Sequence, residues 1–265
     1  MSINEEPIVG EPLKVLQVTD THLFPTTDGT LLGINTYDSL RAVLSQAFSQ
    51  RSPDVLIGSG DIAQFAEPAT YRLFLNLVHE YFDGPILCVP GNHDIGYTFR
   101  QELPTESIVL HGWHIAGIDT HVDDEVGGQV DAAQIGSLTN EIAKDFGPVL
   151  VVGHHAPVEI GTSWLDVHRI SGGDDLVETL VNNDRTRGYV FGHIHQAFDR
   201  TMGETRFLAT PSTCFQFGSD PERFSVESTS PGYRWLNLDM HGSIETWVDH
   251  ARDFEMTLDL KDTKH

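Results

Sequence analysis

The chain has 265 residues, 39% of them hydrophobic, with 39 acidic against 16 basic residues, a formal charge of −23 and a pI near 4.7. That length suits one domain with a substantial core, and the charge excludes a surface built to attract nucleic acid phosphates. No apolar stretch approaches the ~20 residues that span a bilayer, and the acidic start MSINEEPIVGEP has none of the basic and apolar regions of a signal peptide, so the cytoplasm is the expected compartment.

Residues 1–12 read as an N-terminal extension, and the domain is expected over 13–250. In chain order, LKVLQV (13–18), DVLIG (54–58), PILCV (85–89), HIAGI (114–118), PVLVV (148–152), GYVF (188–191) and TRFLA (205–209) are short β-rich runs without polar alternation. Such runs predict strands buried on both faces. Between them, 38–50, 68–82, 131–146 and 174–184 carry apolar residues at helical spacing, with Pro68 suited to a first turn. Strand and helix alternate, which predicts an α/β fold with parallel pairing early in the chain. RWLNLDM (234–240) and SIETWVDH (243–250) predict a hairpin, and 251–265 read as a polar tail. Two cysteines, Cys88 and Cys214, are too few for a disulfide scaffold and are expected as free thiols.

Nearly every predicted strand delivers Asp, His or Asn at its carboxyl end. Asp20-x-His22, Gly60-Asp61, Gly91-Asn92-His93-Asp94, Gly153-His154-His155 and Gly192-His193-x-His195 follow in that order. In open α/β sheets functional groups gather beyond the carboxyl ends of the strands. In an extended segment the i, i+2 pairs face one side, and glycine relaxes the backbone where a strand must turn. Asp, His and Asn without Cys form a hard-to-borderline donor set that suits Mn, Fe or Zn. Asp20, His22, Asp61, Asn92, His154, His193 and His195 make seven side chains, more than one ion ordinarily takes. Adjacent histidines on an extended chain point to opposite faces, so only one of His154 and His155 is expected to bind metal, and spacing alone leaves open which.

This ordered set, spanning about 14–195, resembles the calcineurin-like metallophosphoesterases. The resemblance implies a four-layer α-β-β-α sandwich of two mixed sheets and two divalent ions, with Fe or Mn ahead of Zn. It implies Asp20, His22 and His195 as ligands of one ion, Asn92, His154 and His193 as ligands of the other, and Asp61 as the bridge. It places the doublet's ligand at His154 and leaves His155 to surrounding contacts. His22, Asp61, Asn92, His93 and His195 are then the residues expected to meet substrate. TDTHLF (19–24), LLGIN (31–35), SWLD (163–166), GHIHQ (192–196), TPSTCFQF (210–217) and PGYRWL (231–236) resemble the bacterial class III 3′,5′-cyclic AMP phosphodiesterases. That similarity implies a small cyclic nucleotide as substrate, hydrolysed to 5′-AMP by hydroxide held between the metals.

His93 is expected to act on a phosphate oxygen or on the departing 3′ oxygen, as charge stabiliser or acid. Asp94 is expected either to orient His93 or to stabilise the turn. Trp164 would stack on a base or serve as a plain loop aromatic. Ser212, Thr213 and Cys214 would line the site or pack the core. His79, His111, His114, His121, His168, His241, His250 and His265 have no partner pattern and are expected as structural or surface residues. The readings that compete are a broader nucleotide phosphodiesterase or phosphomonoesterase and a non-catalytic scaffold of the same fold. The intact ligand set argues against the scaffold, and the acidic surface argues against a nuclease.

Overall fold

The computed structural model describes residues 10–144, 147–218 and 220–260. Residues 1–9 of the expected extension and 261–265 of the expected tail lie outside these. The chain runs from β1 (Leu13–Val18) through a small hairpin of β2 (Thr30–Leu31) and β3 (Ile34–Asn35) into α1 (Thr36–Gln50). Next come β4 (Val55–Gly58), α2 (Pro68–His79), β5 (Ile86–Cys88), α3 (Gly96–Glu102), β6 (Ile108–Leu110) and β7 (Trp113–Gly117). After α4 (Ala132–Ile142) and β8 (Val149–Val152) follow α5 (Ser163–Asp166), α6 (Gly173–Val181), β9 (Thr186–Phe191), β10 (Phe198–Met202) and β11 (Thr205–Ala209). The chain closes with β12 (Gln216–Phe217), β13 (Val226–Glu227), β14 (Gly232–Leu238) and β15 (Ile244–His250).

Two mixed sheets result, ordered β15-β14-β1-β4-β5 and β10-β11-β9-β8-β7-β6. In the first, β1, β4 and β5 pair in parallel and β14 and β15 antiparallel. In the second, β7, β8, β9 and β11 are parallel, with β6 and β10 antiparallel at the edges. The expected hairpin forms, with Leu238 opposite Ile244.

The period of two along each strand builds the layers. Val15, Ile57, Leu87, Leu150, Val190 and Leu236 point between the sheets into one fully or almost fully buried cluster. Alternate residues face outward. Leu16, Leu56 and Trp235 meet Leu40, Leu44, Phe74 and Phe99 of α1, α2 and α3. Val151, Phe191 and Phe207 meet Leu138, Leu176 and Leu180 of α4 and α6. This is the expected four-layer sandwich, and it explains why the strands read as unbroken apolar runs. Gln17 is a polar residue between the sheets, as is Arg234, whose guanidinium donates to the Ala209 carbonyl of the opposite sheet. The Gln17 side-chain nitrogen donates to Ser59 Oγ and the Phe191 carbonyl, and its oxygen accepts from Thr210, which rivets the sheets together at their carboxyl ends. Cys88 and Cys214 are buried free thiols. Among the described residues no helix is long and apolar enough to cross a membrane.

Local chemistry moves several boundaries. Helix α1 begins at Thr36, two residues before the expected start, because Asn35 caps it by accepting from the Asp38 N–H. Helix α4 starts in a capping box of Asp131 and Gln134. Helices α2, α4 and α6 end about three to four residues short of the apolar pattern. Edge strand β10 is mostly exposed and polar, so it lacked the apolar run that reveals a central strand. Residues 251–260, read as polar tail, run back along the molecule. Phe254, Met256 and Leu258 pack with Leu32 and Phe215, while Glu255, Thr257 and Asp259 between them face solvent.

Leu150 lies fully buried between the sheets. Leu150→Ala should lower unfolding stability by about 2–5 kcal/mol in urea titration. A change under about 1 kcal/mol would contradict a packed layer at that position.

Candidate metal centre

The parallel strands β1, β4, β5, β8 and β9 all end at one edge of the sandwich, and all seven expected ligands leave from those ends. The segments are not extended. Asp20, His22, Asp61, His193 and His195 have φ of 51°, 46°, 48°, 65° and 48°. They are five of the eight non-glycine residues with left-handed backbones among the described residues. Each such residue costs about 1 kcal/mol or more, and strain of this kind concentrates at functional sites. The i, i+2 pairs therefore converge through left-handed kinks, which corrects the extended geometry expected from spacing. The glycines also differ from expectation. Gly60 needs its positive φ of +95°, but Gly91 and Gly192 are required by crowding. A Cβ on Gly91 would come 2.3 Å from Asp61 Oδ1, and one on Gly192 would come 2.5 Å from Asp20 Oδ2.

The donor atoms of Asp20, His22 and His195 lie within 4.8 Å of one another, and so do those of Asp20, Asp61 and His154. His195 Nε2 stands 3.2 Å from Asp20 Oδ1 and 3.4 Å from His22 Nε2. His154 Nε2 stands 3.5 Å from Asp61 Oδ2 and 4.0 Å from Asp20 Oδ1. Asp61 Oδ2 also faces His22 Nε2 at 3.9 Å, so this carboxylate lies between the two groups. Asn92 Oδ1 meets His193 Nδ1 at 3.0 Å.

The opposite nitrogen of each ring decides what these atoms can do. His154 Nδ1 donates to the Ser59 carbonyl at 2.8 Å, and His195 Nδ1 donates to the Phe215 carbonyl at 2.8 Å. His22 Nδ1 donates to Gln64 Oε1 at 3.0 Å. A carbonyl only accepts, so each ring donates through Nδ1 and turns its Nε2 inward. When neither Nε2 of the His22–His195 pair holds a proton, lone pairs 3.4 Å apart repel unless a cation lies among them. His154 Nε2 and His193 Nε2 are buried with no hydrogen-bond partner. Orphaned buried nitrogens, two carboxylates and oriented imidazoles are the donor set and surrounding support that divalent Fe, Mn or Zn requires.

Ionisation agrees with that fit. Burial alone would raise the Asp20 and Asp61 carboxyls, but the neighbouring His195 and His154 outweigh it and hold both below the usual carboxylate range. Burial, reinforced by His93 beside His22 and by His154 beside His193, pushes both imidazoles down to about 3. Burial opposes charge on His154 as well, yet Asp61 and Asp20 raise it to about 9, so without metal its Nε2 holds a proton that a cation would displace.

His93 is partly buried and faces the same cavity, its ring 4.9 Å from His22, while its backbone N–H donates to Asp61 Oδ1 at 2.8 Å. Asp94 accepts from the backbone N–H groups of Gly91, Ile62 and Ala63 at 2.9, 3.2 and 3.1 Å. It thus ties the loop of Asp61 to the loop of Asn92. Burial, then Asp61, raises its carboxyl to about 7.

His155 lies close to its neighbour, with ring centroids 4.7 Å apart at 86°. Strand alternation does not apply, because 154–155 form a bend beyond β8. His155 Nε2 donates to the Val126 carbonyl at 3.2 Å, and its Nδ1 accepts from the Thr120 hydroxyl at 2.8 Å. Both nitrogens are occupied, and burial holds the ring well below the ordinary imidazole range. Ser212, Thr213 and Cys214 lie behind the site. Ser212 Oγ donates to the Asp20 carbonyl at 2.8 Å, and the Thr213 N–H donates to the Thr19 carbonyl at 3.0 Å.

The ligand edge opens into a cavity of about 820 Å³. Trp164, Phe217 and Phe224 line its outer part, together with His168, whose ring lies 6.5 Å from His193. His168, expected as a structural or surface residue, is a half-buried part of this cavity wall. Gln64, Ser59 and Phe215 carried no sequence signal, because two of the three act through the backbone.

His154→Ala should lose at least half of the bound metal, whereas His155→Ala should keep it, as read by elemental analysis of the metal-loaded protein. Equal losses in the two variants would contradict the division of labour in the doublet.

Comparison with known proteins identifies the family. The calcineurin-like phosphoesterase profile matches residues 13–197. The 3′,5′-cyclic adenosine monophosphate phosphodiesterase CpdA of Escherichia coli is 33% identical over 257 residues, 93% of each chain. The protein of the same name from Vibrio vulnificus is 31% identical over 245 residues, 89% of each chain. Among solved structures, a purple acid phosphatase from yellow lupin seeds superposes with a TM-score of 0.67 at 12% identity, covering 94% of this chain and 53% of its own. The chain belongs to the calcineurin-like phosphoesterase family.

Proposed function

We propose that this protein hydrolyses 3′,5′-cyclic AMP to 5′-AMP with two divalent metal ions, Fe or Mn in preference to Zn. Asp20, His22 and His195 would hold one ion, Asn92, His154 and His193 the other, and Asp61 would bridge them. The observation that carries the metal site is the inward set of buried Nε2 atoms, two of them 3.4 Å apart and two without a hydrogen-bond partner. The substrate rests on likeness to cyclic AMP phosphodiesterases along nearly the whole chain.

When bound, such an ion pair supplies an activated water and neutralises charge developing on phosphate. The chain's own groups do the rest. Ser59, Gln64 and Phe215 occupy the Nδ1 side of these rings and so aim each Nε2 inward, where His154, raised to about 9, would give up its proton on metal binding. His93, held by Asp61 through its backbone, presents its ring to the cavity. There it would donate to a phosphate oxygen or to the departing 3′ oxygen. Asp94 acts as a positioning residue, because its carboxylate keeps the Asp61 and Asn92 loops in register. His22, Asp61, Asn92 and His195 line the same cavity and would border the substrate's phosphate. Asp61 is the only carboxylate among the described lining residues, so two divalent ions would leave the inner end of the cavity net positive in a protein of net charge −23.

The test is turnover by protein loaded with Mn, Fe or Zn. The substrates are cyclic AMP, cyclic GMP, bis(p-nitrophenyl) phosphate and p-nitrophenyl phosphate. Cyclic AMP should give the highest kcat/KM, with 5′-AMP as product. No cyclic AMP turnover with any of the metals would overturn the reading, and preference for the monoester would replace it with a phosphomonoesterase.

A further inference from the structure

The cavity is larger than a phosphate group needs, and its composition changes from one end to the other. Metal ligands and His93 form the inner end, and Trp164, Phe217 and Phe224 dominate the outer end. Aromatic contacts join the two. Phe217 stacks on the His195 ring at 4.4 Å and 24°. Trp164 meets Phe217 edge-on at 5.1 Å and 87°, and meets Phe224 at 5.2 Å and 80°. Phe217 and Phe224 are 5.7 Å apart, so the three rings brace one another. Trp164 Nε1 donates to the Asp220 carbonyl at 3.3 Å, which fixes the indole plane. The cluster is preorganised, which reduces the ordering cost of binding a planar group.

Phe224 is 64% exposed although it belongs to this cluster. An open aromatic face at the mouth of a cavity leaves apolar area for a ligand to cover. Two ring-to-ring steps, 4.4 and 5.1 Å, separate the metal ligand His195 from Trp164. A nucleotide makes a comparable span from its phosphate to its base. Polar side chains at this outer end are few, His168 and Ser225 among them, and either could meet the edge of a heterocycle or a ribose hydroxyl.

We propose that Trp164, Phe217 and Phe224 form the wall on which the substrate's heterocyclic base stacks, and that this wall sets selectivity for nucleotides over other phosphodiesters. The proposal rests on the cyclic nucleotide reading of the same site. Base–aromatic stacking tolerates any base, so the wall distinguishes nucleotides from base-free diesters more strongly than it distinguishes adenine from guanine.

The test compares kcat/KM for cyclic AMP with kcat/KM for the base-free 1-O-methylribofuranose 3′,5′-cyclic phosphate. Wild type, Trp164→Ala, Trp164→Phe and Phe224→Ala are measured after metal loading. The ratio should fall roughly tenfold or more in Trp164→Ala and Phe224→Ala, with the loss for cyclic AMP carried by KM. Trp164→Phe should recover most of it. Phe224 is exposed, so its truncation leaves the fold intact and carries the test even where Trp164→Ala fails to fold. A ratio within twofold of wild type in both alanine variants, in a protein that hydrolyses cyclic AMP, overturns the base wall alone. A wild-type protein that hydrolyses no cyclic nucleotide overturns the functional reading and the wall with it.

Discussion

Imidazole nitrogens that carry no proton repel one another when their lone pairs converge. In this protein His22 and His195 bring Nε2 atoms to 3.4 Å, and His154 adds an Nε2 that has no hydrogen-bond partner. His154 and His195 cannot make Nδ1 an acceptor, because Ser59 and Phe215 offer only carbonyl oxygens to it. Asp20 and Asp61 supply the compensating negative charge but no proton. A cation satisfies every one of these atoms together. The strand-end glycines, the left-handed ligands and the hydrogen bonds behind them all serve that convergence.

The fold makes the convergence affordable in physical terms. Five of the proposed ligands hold left-handed backbones, each disfavoured by about 1 kcal/mol or more. Such geometry persists only where the surroundings over-determine it. The packed layer between the sheets anchors the strand ends, Gln17 locks the sheets together just below the site, and Asp94 laces two ligand loops together through three backbone N–H groups. Side chains that touch no substrate thus carry much of the site's precision.

Much of this was legible in the sequence for an identifiable reason. Central strands buried on both faces read as unbroken apolar runs, so β1, β4, β8 and β9 and the ligand clusters after them stood out. Polar edge strand β10 and short helix α3 lacked that contrast. The alternation in FEMTLDL (254–260) was present but was masked by the polar composition around it, and it marks the segment that packs against Leu32. What the sequence hid was mostly long-range. Trp164 and Phe224 are 60 positions apart yet share one wall, and no local period announces such a meeting. The carbonyls of Ser59 and Phe215 act through backbone that any residue possesses. Spacing suggested the right partners for the D-x-H and H-x-H pairs through the wrong geometry, since the chain kinks where extension was expected.

The central claim is that the inward nitrogens and carboxylates form a pocket for two cations. Calorimetric titration of the metal-stripped protein with Mn²⁺, read beside thermal unfolding, tests it most directly. The account predicts two ions per chain and a rise in unfolding temperature on binding, because a cation bound only by the folded state stabilises it. A stoichiometry of one or none, or binding with no gain in stability, would contradict it.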